Sequence, residues 1–164
     1  FYGRAQRRSR PKKRKKLHQY LTTKAFNMIV AKILSGLMGF FFTFAGIAKT
    51  TPYTAMSEEM QMGFRSGLFP KMWGLPALPF LYFVGITELL CGIGLLGSVF
   101  GITPQLITQW CAVIPIPITM AATTSHVLNG DPMDKIVFCG VITTLFVLNN
   151  FFVAISFATK VKGA

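Results

Sequence analysis

Few side chains in this 164-residue chain can carry chemistry. They are Lys49, Glu88, His126, Asp131 and Asp134, with Asn149 and Asn150 as neutral polar groups. Glu88 is the single carboxylate within LPFLYFVGITELLCGIGLLGSV, residues 78–99. That apolar run is long enough to cross a bilayer as a helix. An ionisable group near the midplane is costly unless it is paired or neutralised. Two arrangements would offset the cost: an ion pair with Lys49, or a protonated Glu88 hydrogen-bonded to a Thr or Asn. Counting residues puts Lys49, His126 and Asp131 near one membrane face. Glu88 then lies about ten residues of helix deeper, roughly 15 Å. A direct Lys49–Glu88 pair therefore requires span two to start deeper, or a bent helix.

Other chemistries find little footing. The two histidines are His18 and His126, with no ligand spacing around either, so no metal site is expected. Ser125 beside His126 is a sequence neighbour and not a nucleophile held by a base. No glycine loop cradles a phosphate. Gly130-Asp131-Pro132 reads as a turn, with Asp131 near the positive end of the following helix. Cys91, Cys111 and Cys139 fall one each in spans two, three and four, which argues against a disulfide framework. Cys91 and Cys111 can share a depth, but small buried thiols are the commoner case. The chain is not expected to be an enzyme.

The elements that position these groups are membrane spans. Composition is 52% hydrophobic and mean hydropathy is +0.51, too apolar for an ordinary soluble domain. Runs at 28–48, 78–99, 105–127 and 136–158 each hold about 20 residues, enough for the hydrocarbon layer. The expected fold is an all-α, four-helix membrane bundle, residues 28–164, behind a basic tail, residues 1–27. In the link between spans one and two, Met56, Met60, Phe64 and Leu68 share one face, which predicts an amphipathic interfacial helix. Pro115 and Pro117 predict a kink in span three, with Thr119, Thr123 and Thr124 available to freed carbonyls. Gly85, Glu88 and Gly92 share one helical face, so Glu88 is expected to face protein. Gly36 and Gly39 offer a counter-surface.

The net charge is +12, and no acid precedes Glu58. Arg7, Arg8, Arg10, Lys12, Lys13, Arg14, Lys15 and Lys16 concentrate it in the tail. The favoured reading is a topology signal that also binds anionic lipid or an acidic surface. RNA is the less favoured partner, because only Tyr2 and Tyr20 interleave the cations. Four spans then place both termini on the basic side, cytosolic, stromal or matrix. An acid-free basic N-terminus also suits a protein of an organellar inner membrane or thylakoid.

Four pieces in order resemble the DoxX-like family of small four-helix membrane proteins: FTFAGIAKTTP (42–52), MSEEM (56–60), GITELLCGIGLL (85–96) and HVLNGDP (126–132). The likeness is closest to the branch that includes the nicotinic-receptor assembly chaperone. The resemblance implies a four-helix bundle over residues 30–158. One branch of the family resembles assembly chaperones. The basic tail, the small-residue helix faces and the lack of catalytic geometry themselves point to a non-catalytic accessory subunit or assembly factor of a larger membrane complex, with respiratory and photosynthetic supercomplexes as hosts if the protein is organellar. The partners expected are lipid and other membrane subunits, with no soluble substrate. The alternatives are a quinone-linked oxidoreductase component, which the family's thiosulfate:quinone branch suggests, and a small proton-coupled transporter. No cofactor is specified. Bound lipid, quinone or chlorophyll would each fit such a protein, with Glu88, His126 or an Asn as candidate magnesium ligands.

Overall fold

The computed structural model describes residues 10–51, 58, 62–63 and 74–161, and the side chains of 19–51, 58, 62–63 and 74–158. Its long helices are α1 (Arg10–Thr50), α2 (Ala77–Val99), α3 (Gln105–Val113), α4 (Pro115–Asn129) and α5 (Met133–Val161). Among the described residues, four helical stretches are long and apolar enough to span a membrane: Gln19–Thr50, Ala77–Val99, Gln105–Asn129 and Met133–Ala158. The protein is an all-α membrane bundle. The tail boundary expected at residue 27 falls inside α1, which runs unbroken from Arg10. The amphipathic helix expected through Met56, Met60, Phe64 and Leu68 lies outside the described residues. Within that link Glu58, Met62 and Gly63 are helical.

Turn chemistry fixes the hairpins. Gly101 has φ 74° and ends α2, with Ile102 N–H donating to Gly97 O at 2.9 Å. Gly130 has φ 67° and ends α4, with Asp131 N–H donating to His126 O at 3.0 Å. Both are left-handed caps that consume carbonyls the helix end would otherwise leave bare. A proline follows each, Pro104 and Pro132, and opens the next helix.

The kink expected in span three appears as the break between α3 and α4 at Ile114. Pro115 and Pro117 cannot donate to the carbonyls of Cys111 and Val113. The threonines do not bridge the gap. Thr119 donates to Pro115 O at 3.0 Å, Thr123 to Thr119 O and Thr124 to Met120 O, all within α4. Such bonds back to the preceding turn bend a helix but leave the freed carbonyls of α3 unserved.

Glycines set how closely α1 and α2 approach. A Cβ at Gly92 would lie 2.5 Å from Thr43 N, and one at Gly46 would lie 2.6 Å from Leu89 N. Gly39 meets Gly92 and Leu96, and Gly85 meets Lys49 and Thr50. The backbones are therefore in direct contact along a seam of two glycine pairs, each pair spaced by seven residues. In lipid there is no hydrophobic drive between helices, so such close packing carries the association. The core beside this seam is apolar. Phe42 stacks edge-on against Phe146 of α5, ring centroids 4.4 Å apart, among Met38, Leu95, Ala112 and Ile142.

Candidate functional site

The seam determines where the charges meet. With Gly46 against Gly85 and Leu89, the last turn of α1 lies beside the third turn of α2. Lys49 Nζ donates to Glu88 Oε2 at 2.5 Å. The two side chains are 12% and 7% exposed, so the pair is buried. The separation of about ten residues expected from hydropathy does not hold. Lys49 ends α1 beside Gly85, while α2 continues for eight residues before it, from Ala77 to Val84. Spans one and two are thus staggered on this side by two helical turns. Glycine packing sets that stagger, and a count of apolar residues does not register it. Lys49 also stands in the last turn of α1, where the helix dipole favours a cation.

A second pair closes the α4–α5 corner. His126 Nδ1 lies 2.6 Å from Asp131 Oδ2, with both side chains about one-third exposed. The left-handed cap at Gly130 folds the chain back so that these residues meet across five positions. His126 sits at the negative end of α4, and Asp131 precedes the positive end of α5. The pair fastens a corner and leaves Nε2 on the far edge of the ring.

A third polar contact lies deeper. Ser35 Oγ donates to Asn149 Oδ1 at 3.0 Å, joining α1 to α5. Asn149 is wholly buried, and its Nδ2 has no partner among the described residues; nor has Thr43 Oγ1. Asn150 is half-buried beside it. Ser35→Ala should destabilise the bundle by about 1 kcal/mol, the usual worth of a hydrogen bond between membrane helices. Adding Asn149→Leu should recover part of that loss, read by thermal melting in detergent. A Ser35→Ala protein that melts with the wild type would remove this contact from the stabilising set.

The structure thus joins Lys49 to Glu88, His126 to Asp131, and Asn149 to Ser35. Glu88 is 5% exposed and faces α1, with Gly85 and Gly92 on the same buried face. Ser35 and Gly46 were not singled out from sequence. Gly46 had a signal: its spacing of seven from Gly39 matches that of Gly85 and Gly92. Ser35 had none. Among the described residues, no three His, Cys, Asp or Glu side chains gather into a metal-binding group. The basic tail positions Arg7 and Arg8, and the side chains of Arg10, Lys12, Lys13, Arg14, Lys15 and Lys16, lie outside the described residues.

The three segments that supply these charges, around Lys49, Glu88 and His126–Asp131, all fall inside a stretch that matches a known family. The family model described as DoxX-like matches residues 33–149. The chain belongs to the DoxX-like family. No curated protein matches it. The match runs from the turn of α1 that carries Ser35 to Asn149, and so contains all three polar contacts of this DoxX-like protein.

Proposed function

We propose that this DoxX-like protein is a non-catalytic membrane subunit or assembly factor of a larger membrane complex. One observation carries the reading. The helix α1 has 41 residues, about 60 Å at 1.5 Å per residue, roughly twice the hydrocarbon thickness. Gly36 lies opposite Val99 at the end of α2, so the residues before it rise past that helix. Tyr20, Leu21 and Phe26, which precede the 28–48 run that fills the hydrocarbon layer, are exposed there. Apolar surface on a helix longer than the membrane is thick calls for a protein partner to cover it. The internal charges support the same reading, because Lys49 and Glu88 neutralise each other and tie helices together. Resemblance to the receptor-assembly chaperone branch points the same way. The basic, acid-free N-terminal region suits an organellar complex and a docking arm against an acidic surface or anionic lipid.

Two measurements test this. Solubilised in mild detergent, the protein should co-migrate with a large complex on native gels. A monodisperse small particle from native membranes would overturn the proposal. Deleting residues 1–16 should loosen attachment in a salt-dependent way, because each cation near an anionic surface is worth about 1 kcal/mol. Full-length and truncated chains retained equally at every salt concentration would reject the anchoring role.

A further inference from the structure

Cys91 and Cys111 are free thiols, both buried, on adjacent helices joined by the short turn at residues 100–104. Both thiols belong to one buried core cluster. Geometry brings them near each other. The Cys111 sulfur lies against Gly94, one turn along α2 from Cys91, in space that any Cβ at residue 94 would take. The left-handed cap at Gly101 and the Ile102 N–H to Gly97 O bond hold the register of the two helices. Cys139 stands apart on α5, only half-buried. Cys91 is eight residues inside the Val99 end of α2, about 12 Å along the axis. That depth lies in the hydrocarbon, where water-borne oxidants are scarce and lipid-dissolved ones are concentrated.

We propose that Cys91 and Cys111 form a thiol–disulfide couple inside the bundle, oxidised by lipid hydroperoxides of the surrounding membrane. One thiol sulfur attacks the terminal oxygen of the hydroperoxide. The O–O bond breaks, a sulfenic acid forms, and the thiol proton leaves on the lipid alcohol. The second thiol attacks the sulfenic sulfur. The S–S bond forms as the S–O bond breaks, and the hydroxyl leaves with the second thiol proton as water. The two thiols lose two electrons together, and the hydroperoxide is reduced to alcohol and water. The product bond ties α2 to α3 immediately before the break at Ile114, fixing the one hairpin whose far arm is not a continuous helix. The proposal is independent of any host complex.

The test uses the full chain in phosphatidylcholine vesicles. One sample holds hydroperoxidised phosphatidylcholine in the bilayer, a second has hydrogen peroxide in the water, and a third has decylubiquinone in the bilayer. Remaining thiols are counted by maleimide labelling after denaturation, and disulfides are mapped by peptide mass spectrometry. The expected result is a single Cys91–Cys111 disulfide, formed about tenfold faster with lipid hydroperoxide than with aqueous peroxide, since oxidation follows access. It should persist in Cys139→Ser and vanish in Cys91→Ser and Cys111→Ser. Mapping on the wild-type chain alone decides the pairing, whatever the stability of the variants. Thiols that stay reduced, or a bond to Cys139, would overturn the proposal. Equal rates with aqueous peroxide would overturn the depth argument, and oxidation by the quinone alone would overturn the choice of oxidant.

Discussion

Glu88→Ala is expected to destabilise the bundle by about 3–5 kcal/mol, the usual consequence of stranding one charge of a buried pair. Lys49 is 12% exposed and donates to Glu88 at 2.5 Å. With the carboxylate gone, the ammonium keeps its desolvation penalty and loses its compensation. Glu88→Gln should cost less, because a side-chain oxygen still accepts from Lys49. The double change Lys49→Met with Glu88→Leu should recover most of the loss, since replacing a buried pair with apolar groups of similar volume is often close to neutral. Thermal melting of the wild type, Lys49→Met, Glu88→Leu and the double variant in one detergent makes a double-mutant cycle. Independent, additive losses at residues 49 and 88 would mean the pair does not form in the membrane protein.

The second large effect concerns backbone contact. Gly92→Leu is expected to cost about 3 kcal/mol or more, at the upper end of overpacking penalties. A side chain there would press on Thr43 N and Gly39 O, which are main-chain atoms and cannot rotate away. The loss should exceed that of Glu88→Gln. Two glycines serve as controls. Gly36 has only Val99 Cγ2 near its would-be Cβ, at 3.6 Å, and Gly140 has nothing within 4 Å. Alanine at Gly140 should stabilise its helix by up to about 1 kcal/mol through propensity alone. If Gly92→Leu melts like Gly36→Leu, the seam is looser than described and close packing does not hold α1 to α2.

The spans were legible because a membrane helix is written as a long apolar run. The end of α2 at Val99 and the start of α3 at Gln105 coincide with the limits of the apolar runs. The face shared by Gly85, Glu88 and Gly92 was also legible, since helical spacing alone assigns it. The partner of Glu88 was not. Hydropathy marks Lys49 as the end of a span and so aligns it with the start of the next. The true alignment comes from Gly46 seating on Gly85 and Leu89, and contact between backbones leaves no trace in polarity. Ser35 was invisible for a related reason: a serine in an apolar run reads as a small residue until Asn149 is placed beside it. His126 and Asp131 were seen as neighbours of a turn. Their pairing depended on the left-handed cap at Gly130, which sets the two side chains facing each other.

The stagger of α1 and α2 has a consequence for how this chain enters the membrane. A lone carboxylate near the middle of an inserting helix, as Glu88 is in α2, costs about 2.5–3.5 kcal/mol at the translocation machinery, and Lys49 in the last turn of α1 costs less until α2 buries it. Neither Lys49 nor Glu88 has its partner on its own helix. The first helix emerges from the ribosome with an unmatched cation, and 38 residues of chain separate it from its counter-ion. The second helix settles into lipid only where the first is waiting for it. The two segments therefore enter the bilayer as a matched hairpin, and losing either charge would delay both.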